Sequence, residues 1–244
     1  MITPRALVYR GPSMFDPTTE IVALLNLGAD GNKKTGGLSQ LYILPSDAIY
    51  GDRAPIRPTK ELSAAICGTC PLRSKASGGS GQCYAYGTVL LNGALAVQRA
   101  VREGHVVGVP RRIHMLRSAA IGDPAALPAD VMVDLLARSA DVRGYTQRWR
   151  TAEAAHLRAT HMASVHSIED ALEARSLGWR TFRIGAALAG EVQCPASKEM
   201  GHKTTCARCT LCTGQVRATA PSVAILDHGP LAVSRRTRAA LEAA

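Results

Sequence analysis

The sequence predicts an α/β protein in which parallel strands form a partial (β/α)6 open barrel or a doubly wound sheet. Six short apolar segments alternate with segments of helical periodicity, and a capping pattern opens one of the helices. Strands that alternate with helices pair in parallel through right-handed crossovers. Six units are too few for a closed barrel of eight, and the ligands of such folds gather at the carboxyl ends of the strands.

Each element follows from a local pattern. The first strand is predicted at residues 41–44, a short apolar run, and the first helix at 87–103, where apolar residues share one face. Ser167 and Asp170 form a capping box, and Gly178 marks the end of the helix that follows. The other strands are expected at residues 112–116, 144–146, 162–165, 181–184 and 222–226. The other helices are expected at residues 129–139, 151–158 and 234–244.

The composition is that of a globular protein. The 244 residues are 46% hydrophobic but only 4% aromatic, so aliphatic side chains must form most of the core. No apolar run approaches the roughly 18 residues of a membrane-spanning helix, and the N-terminal residues do not resemble a secretory signal. We therefore expect a cytoplasmic protein without membrane contact. Its parts are a lead-in at 1–38, a partial barrel at 39–190 and a cysteine-rich segment with a last strand and a basic helix at 191–244.

The chain is strongly basic. Twenty-nine Lys and Arg residues against nineteen Asp and Glu residues give a net charge of +10. A positive charge of this size attracts polyanions, so nucleic acid or a nucleotide is an expected partner. Solvated helix faces explain the same residues equally well. Clusters of arginine occur at residues 111–112, 148–150 and 235–238.

Seven cysteines carry most of the functional signal. Their odd number, in a chain without a secretory signal, argues against a disulfide framework. They fall into two groups, with 110 residues free of cysteine between them. The first group is Cys67, Cys70 and Cys83, and the second group is Cys194, Cys206, Cys209 and Cys212.

The second group has the spacing of a metal or cluster site. Cys206, Cys209 and Cys212 follow the C-x2-C-x2-C pattern that bacterial ferredoxins use for [4Fe–4S] clusters. Cys194, which precedes a proline, supplies a fourth thiolate. Four thiolates also suit a tetrahedral zinc ion. Ligand type and spacing favour iron–sulfur, with zinc as the alternative.

The first group offers three thiolates, which leave one position of a [4Fe–4S] cluster open to a small ligand. A division into three and four cysteines is what one open and one closed cluster require. Two alternatives involve zinc. In one, His105 or His114 completes a four-ligand site. In the other, Cys67 and Cys70 share one structural zinc with two partners from the second group.

Polar residues near the second predicted strand form a candidate ligand site. Gly122 permits close backbone approach, Asp123 can accept hydrogen bonds from an amine, and Pro124 fixes the turn. Arg117, just before this turn, can meet a carboxylate. The same turn also suits a plain connection to the next helix. His166, after the fourth strand, is a candidate acid/base, although a single histidine there is more often structural.

These motifs resemble those of a cysteine-rich family of phage and prophage proteins, over residues 32–228. The resemblance rests on CGTCPLR from Cys67, CYAYG from Cys83, IGDPAALP from Ile121, GYTQRW from Gly144 and CPASKEMGHKTTCARCTLC from Cys194. That family is similar in turn to relatives of radical S-adenosylmethionine enzymes. Those relatives carry a cysteine loop after the first strand and a Gly-Asp/Glu-Pro turn after the second.

The resemblance implies a radical-SAM-like open barrel with a C-terminal cysteine-rich segment that binds a cluster. It implies one or two [4Fe–4S] clusters, the first cysteine group holding the open one, and S-adenosylmethionine (SAM) as a ligand. The SAM amino group would then contact the turn formed by Gly122, Asp123 and Pro124. The usual cysteine spacing is C-x3-C-x2-C, whereas here two and then twelve residues separate the cysteines.

Two functions are consistent with these features. The leading hypothesis is an iron–sulfur, radical-SAM-like phage enzyme that modifies a nucleic acid or nucleotide, with the second cysteine group as an auxiliary centre. The alternative is a non-enzymatic nucleic-acid-binding protein of phage replication or regulation, whose fold is stabilised by zinc or a cluster. The three-plus-four division and the Gly-Asp-Pro turn favour the first hypothesis, because a structural zinc protein requires neither.

Overall fold

Two mostly parallel β-sheets form the framework of the protein, which confirms the predicted α/β class. The computed structural model describes residues 3–27, 34–83, 85 and 88–226. The strands are β1 (Arg5–Pro12), β2 (Glu20–Asn26), β3 (Ser39–Pro45), β4 (Val106–Val107), β5 (Leu116–Ile121), β6 (Val142–Arg143), β7 (Tyr145–Thr146), β8 (Met162–Val165), β9 (Thr181–Ile184), β10 (Glu191–Gln193) and β11 (Ser222–Ile225). The helices are α1 (Ser46–Tyr50), α2 (Ile56–Glu61), α3 (Ser63–Cys67), α4 (Thr88–Arg102), α5 (Ala129–Ala137) and α6 (Ile168–Ser176).

The first sheet has the strand order β4-β1-β2-β3-β5-β6. β1, β2 and β3 pair antiparallel, whereas β3, β5 and β6 pair in parallel. Residues 5–26 belong to the part of the chain that the sequence predicts as a lead-in, yet they form β1 and β2 of this sheet. The reason is the apolar run at 21–25, which is completely buried and therefore needs a strand on each side.

The second sheet has the strand order β10-β11-β9-β8-β7, and all of its pairs are parallel. Only Gly144 separates β6, at the edge of the first sheet, from β7, at the edge of the second. Across this junction the strands lie in the order β3, β5, β6, β7, β8, β9 and β11. With β6 and β7 counted as one, they correspond to the six predicted strands. Over the residues that the structure describes, the two sheets do not close into a barrel.

Gly144 is required at the junction because the space around it is filled. A Cβ atom on this residue would lie 2.2 Å from Ser118 Oγ and 2.3 Å from His161 Cδ2. The Gly144 N–H donates to the Cys212 carbonyl at 3.2 Å, and the Gly144 carbonyl accepts from the Met162 N–H at 3.0 Å. The chain therefore passes from one sheet to the other with its main-chain groups hydrogen-bonded.

Several predicted elements are confirmed to within two residues. They are the strands at 41–44, 162–165, 181–184 and 222–226 and the helices at 87–103 and 129–139. Half of the capping box is confirmed, since Ser167 Oγ accepts from the Asp170 N–H at 3.0 Å at the start of α6. The Asp170 carboxylate accepts from the His166 N–H at 3.2 Å and not from the Ser167 N–H. Gly178 follows that helix with a φ of +79°.

Other predictions need correction. The strand predicted at 112–116 is misplaced, because β5 begins where the prediction ends and its small residues at 118–120 carry little strand signal. The strand predicted at 144–146 is divided by Gly144 into parts of two sheets, and the helix at 151–158 is a 3-10 helix. The basic helix predicted at 234–244 lies outside the described residues.

The larger apolar core packs the first sheet against α4 and α5 and extends to β8 and α6. A smaller apolar cluster lies at the second sheet and contains Met162, Val223, Ile225 and Cys194. Half-buried side chains of the second cysteine group pack against this smaller cluster. Among the helices that the structure describes, none has the length and apolar character to cross a membrane.

Burial of His161 beneath the junction gives the fold a pH dependence. The ring is completely buried, with Nε2 2.7 Å from Ser118 Oγ and Nδ1 2.9 Å from Thr160 Oγ1. Burial lowers the pKa of His161 from 6.5 to about 3. Below pH 6.5 the unfolded chain binds a proton that the folded chain does not bind until about pH 3, so stability falls as the pH decreases through this window.

We expect the free energy of unfolding of the metal-free protein to drop by about 1.5 kcal/mol between pH 6.5 and pH 5 because of this residue. Urea denaturation at a series of pH values measures the drop. The His161→Gln variant should show a smaller drop over the same range, whatever its absolute stability. An equal drop in both proteins would contradict this assignment.

Candidate functional site

The inner faces of β5 from the first sheet and of β7, β8 and β9 from the second form a concave surface, which we call the cup. Side chains point alternately to the two faces of a strand, so one residue in two reaches this surface. The cup residues are Arg117, Ala119 and Ile121 from β5, Tyr145 and Gln147 at β7, Ser164 and His166 at β8, and Phe182 and Ile184 from β9. Polar side chains therefore lie among apolar ones on a single surface.

Both cysteine groups face the cup. A first cavity of about 180 Å³ is lined by six of the seven cysteines, all except Cys67. A second cavity of about 150 Å³ is lined by the three cysteines of the first group and by Asp123. The two cavities share the lining residues Cys70, Cys83, Arg117, Tyr145, Gln147 and Ser164. The two groups, which are far apart in sequence, therefore adjoin in the fold.

The twelve residues between Cys70 and Cys83 form a closed loop. The Pro71 carbonyl accepts from the Ser80 N–H at 2.8 Å, and the Leu72 carbonyl accepts from the Cys83 N–H at 2.8 Å. These bonds return the chain to its starting point, and Cys70 and Cys83 line the same two cavities. The long spacing within the first group therefore does not separate its cysteines.

Main-chain hydrogen bonds hold the second group against the cup. Cys194 follows β10, and its N–H donates to the Ala224 carbonyl in β11 at 2.7 Å. The Cys206 N–H donates to the Lys34 carbonyl, ahead of β3, also at 2.7 Å. The cysteine-rich segment is thus bonded to the second sheet and to the chain that leads into β3.

A buried arginine orients the C-x2-C-x2-C turn. Arg143 is 3% exposed, and its Nε donates to the Cys209 carbonyl at 2.8 Å while its other nitrogens pair with Asp141. The next residue, Gly144, donates its N–H to the Cys212 carbonyl. The junction between the two sheets therefore fixes this turn at two points.

Burial disfavours the thiolate form of these cysteines. It raises the pKa of Cys70 to about 11 and that of Cys212 to about 12, and it also raises the pKa of Cys206. Neighbouring thiolates add to each shift. The positive charge of a metal ion or cluster reverses this preference by stabilising the thiolates. Metal binding would therefore release protons and would weaken as the pH decreases.

The thiols surround cavities and not a single point. In the described part of the chain all seven cysteines are free, and no three His, Cys, Asp or Glu side chains lie close enough to hold one metal ion. A zinc ion needs four ligands around one centre, with sulfur at about 2.3 Å. A [4Fe–4S] cluster binds each cysteine through a different iron and so accepts a wider ring of sulfurs. The structure shows which cavities the thiols line and brings no three of these side chains together as a metal site in the described residues.

Neither histidine named as a zinc ligand lies at the cup. His105 and His114 are exposed, and neither lines the first or the second cavity. The structure therefore does not bring a histidine to the first cysteine group from these positions. The alternative of one zinc ion shared between the two groups stays a prediction. Of the two cysteines that it takes from the first group, Cys70 lines both cavities and Cys67 lines the second.

Asp123 lines the second cavity, but its carboxylate holds the fold together. Oδ1 accepts from Thr146 Oγ1 at 2.8 Å and from the Ala125 N–H at 3.0 Å, and Oδ2 accepts from the Gln147 N–H at 2.7 Å. The residue is 4% exposed, and burial raises its pKa. The carboxylate expected to meet a ligand amine thus joins the turn after β5 to the chain that follows β7.

The other residues of the candidate ligand site have different environments. Gly122 lines the second cavity with a φ of +84°, and a Cβ there would lie 2.8 Å from Ile43 Cβ, so packing also requires glycine. Pro124 is buried at the start of a 3-10 helix and lines neither cavity. Arg117 lines both cavities, and its Nη1 donates to Gln40 Oε1 at 3.3 Å.

Three side chains on the cup form a hydrogen-bonded row that the sequence predicted only in part. His166 Nε2 lies 2.9 Å from Gln147 Oε1, and Gln147 Nε2 donates to Ser164 Oγ at 2.7 Å. Because Gln147 Oε1 accepts, the proton of the neutral ring is assigned to His166 Nε2. Burial lowers the pKa of His166, which keeps the ring neutral at pH 7. Ser164 stands in no motif, and its one sequence signal is a polar residue between the buried Ala163 and Val165.

The arginine cluster at 148–150 contacts protein groups. Arg150 lies over the ring of Trp149 at 3.8 Å from its centroid and forms ion pairs with two carboxylates of α6. Of the two explanations for the basic residues, solvated faces and an anionic partner, the first therefore describes this cluster. Arg111 and Arg112 are exposed and form no ion pair with a described residue. The cluster at 235–238 lies outside the described residues.

Comparisons with known proteins identified no relative of this chain. No protein-family model matches the chain, and no curated protein or solved structure shows significant similarity to it.

Proposed function

We propose that the protein is an iron–sulfur enzyme with a radical-SAM-like open barrel, which binds a small ligand in the cup between its two cysteine groups. One observation carries this proposal. Six of the seven cysteines line a single cavity that also reaches polar residues of the cup, including Arg117, Gln147 and Ser164. Cysteines that only cross-linked a loop through a metal would not need to lie beside such residues.

The two cysteine groups would have different tasks. The three cysteines of the first group would hold a [4Fe–4S] cluster with one iron open to a ligand, and the second group would hold an auxiliary cluster. When bound and reduced, such a cluster would supply one electron to a SAM sulfonium, and a low-potential one-electron donor would have to replace that electron. SAM, one electron and a hydrogen atom from the substrate would give methionine and 5′-deoxyadenosine, and would leave the substrate as a radical.

The cup residues would orient the ligand. Ser164 Oγ accepts from Gln147, so the hydroxyl hydrogen of Ser164 is left to donate into the cavities that it lines. Arg117 adds a positive charge on the same wall. Both groups suit an oxygen anion, such as a carboxylate or a phosphate. The rings of Tyr145 and Phe182, with centroids 4.3 Å apart, contribute an apolar wall that excludes water.

A nucleotide or nucleic acid is the substrate class that the charge favours. The net charge is +10, and Lys198, Lys203 and Arg208 are exposed on the cysteine-rich segment that faces the cup. Phosphate contacts from such residues position a nucleic acid without reading its sequence. The same cations favour the second candidate function, a non-enzymatic nucleic-acid-binding protein in which the metal only stabilises this segment.

Release of 5′-deoxyadenosine distinguishes the two functions. The protein is reconstituted anaerobically with iron and sulfide, reduced with dithionite and incubated with SAM. We expect the wild type to form 5′-deoxyadenosine and Cys83→Ser to form none, because that change removes one ligand of the open cluster. Ser80→Ala in the same loop is a matched control, since Ser80 Oγ has no hydrogen-bond partner within the described chain.

The control should behave as the wild type. A wild-type protein that holds iron at the first group yet never cleaves SAM would refute the enzyme proposal. Zinc at both groups, together with nucleic-acid binding, would establish the second candidate instead.

A further inference from the structure

A third cavity is formed by the segments that follow β1, β5 and β7. Its volume is about 340 Å³, which is within the size range of small-molecule sites. None of the residues that line it also lines the first or the second cavity. Chain segments at the carboxyl ends of strands are where α/β folds bind their ligands. The third cavity is therefore a candidate binding site that is separate from the cup.

Part of the wall of this cavity is apolar. Phe15, Ala125 and Leu127 line it, and the half-exposed Met14 lies beside them. The Met14 N–H donates to the Ala126 carbonyl at 3.0 Å, so the segment after β1 is bonded to the segment after β5. An apolar wall that is already in place suits the hydrocarbon part of a ligand.

Arg148 places a positive charge at the cavity. Its N–H donates to Thr146 Oγ1 at 3.0 Å, and its carbonyl accepts from the Thr151 N–H at 2.9 Å, so the main chain is fixed. The guanidinium carbon lies 5.4 Å from the centroid of the Phe15 ring, and Nη1 lies 3.5 Å from Thr69 Oγ1. No carboxylate of the described chain forms an ion pair with this side chain. Its other N–H groups can therefore bind an oxygen anion.

His156 and Glu153 supply acceptors at the same cavity. His156 Nδ1 lies 2.8 Å from the Glu153 carbonyl, which can only accept, so the proton of the neutral ring is assigned to Nδ1. Nε2 then carries a lone pair, yet it is shielded from solvent and has no hydrogen-bond partner within the described chain. Such an acceptor is unfavourable unless a ligand donates to it. The exposed carboxylate of Glu153 adds a negative charge.

We propose that the third cavity binds a small zwitterion with an apolar side chain, namely a free amino acid of the leucine type. Arg148 binds the carboxylate through paired N–H groups, and Glu153 and His156 Nε2 accept from the ammonium group. The wall that contains Phe15 and Leu127 contacts the side chain. A plain anion would meet the Glu153 carboxylate and a plain cation would meet Arg148, so the cavity discriminates against ligands of one charge.

Isothermal titration calorimetry of the purified full chain with L-leucine tests the proposal. Isocaproate and isoamylamine are matched probes, because they keep the leucine side chain and lack the ammonium group and the carboxylate, respectively. We expect L-leucine to bind and each analogue to bind about tenfold more weakly, since each loses the hydrogen bonds of one charged group.

Substitutions test the assigned contacts one at a time. Arg148→Gln should weaken the binding of L-leucine about tenfold without weakening that of isoamylamine, which has no carboxylate. Glu153→Gln should weaken the binding of L-leucine without weakening that of isocaproate. His156→Asn keeps a donor in place of Nδ1 and lacks Nε2, so it should also weaken the binding of L-leucine. Arg138→Gln removes an exposed pair with Asp134 outside the cavity and should bind as the wild type does.

The outcomes decide the inference without reference to the cysteines. A wild-type protein that does not bind L-leucine overturns it, and so does isocaproate that binds as tightly as L-leucine, which would make the cavity a site for anions. Where Arg148→Gln fails to fold, Glu153→Gln decides alone, because that side chain is exposed. Unchanged binding of L-leucine by Glu153→Gln overturns the inference. The inference goes beyond the proposed function, which none of these results changes.

Discussion

Replacement of Cys212 by serine is expected to remove the cluster from the second cysteine group while the first group stays loaded. Cys212 packs against the smaller apolar cluster, and its carbonyl accepts from the Gly144 N–H. Serine is a much weaker metal ligand than a thiolate. Iron and acid-labile sulfide per chain should fall by roughly half, from about eight to about four of each.

The same substitution should lower stability, because metal binding to the folded chain contributes folding free energy. A ligand present at about 1,000 times its Kd contributes about 4 kcal/mol, so the loaded wild type should melt well above Cys212→Ser. Cys83→Ser is the matched variant and should lose the other half of the iron. A folded Cys212→Ser protein with the full wild-type iron content would show that the second group is not a cluster site.

Asp123→Ala should destabilise the protein by about 3 kcal/mol or more, even without any metal or ligand. The carboxylate accepts three hydrogen bonds in a buried site, from Thr146, Ala125 and Gln147. Each buried donor left without a partner costs about 1–3 kcal/mol. Urea denaturation of the metal-free protein measures the loss. Asp123→Asn should fall between the two proteins, since one oxygen still accepts while the amide opposes the Gln147 N–H.

This expectation differs from the role that the sequence suggests for Asp123. A residue that only met a SAM amine would leave stability unchanged when replaced by alanine, and would weaken SAM binding instead. A variant with wild-type stability and weak SAM binding would therefore restore the ligand-contact role. Isothermal titration with SAM on the reconstituted Asp123→Ala protein, beside the denaturation curve, separates the two roles.

Local patterns in the sequence were sufficient for the elements that depend on local chemistry. The Ser167 capping box predicts α6 because the serine hydroxyl satisfies a free N–H of the first turn, whatever the rest of the fold does. The strands β8, β9 and β11 are short apolar runs between turns, so their positions were also predictable. The three-plus-four division of the cysteines was visible in their spacing alone.

Elements whose partners come from elsewhere in the chain were less predictable. The run at 21–25 is apolar, yet only its pairing between β1 and β3 makes it a strand of the first sheet. β5 is rich in small residues that suit either a turn or a strand. It is a strand because it pairs in parallel with β3 and β6. The division of one predicted strand at Gly144 depends on Ser118 and His161, which pack against that glycine.

The candidate site was likewise only partly predictable, because its parts come from distant segments of the chain. The spacing of the cysteines predicts two groups, but only the fold shows that the loop after Cys70 closes between Leu72 and Cys83 and that cysteines from both groups line one cavity. Arg143 and Arg180 look like ordinary surface charges in the sequence, although both are buried beside the second group. Counting charges cannot reveal this, since burial of an arginine depends on carbonyls supplied by distant segments.

The central claim is that the two cysteine groups hold iron–sulfur clusters around one cup. Metal and acid-labile sulfide analysis of the anaerobically reconstituted wild type, with Mössbauer spectroscopy of the same sample, tests it most directly. We expect about eight irons and about eight sulfides per chain, with the Mössbauer spectrum of cubane clusters. Bound zinc without labile sulfide, or iron that chelators remove without a cluster spectrum, would contradict it.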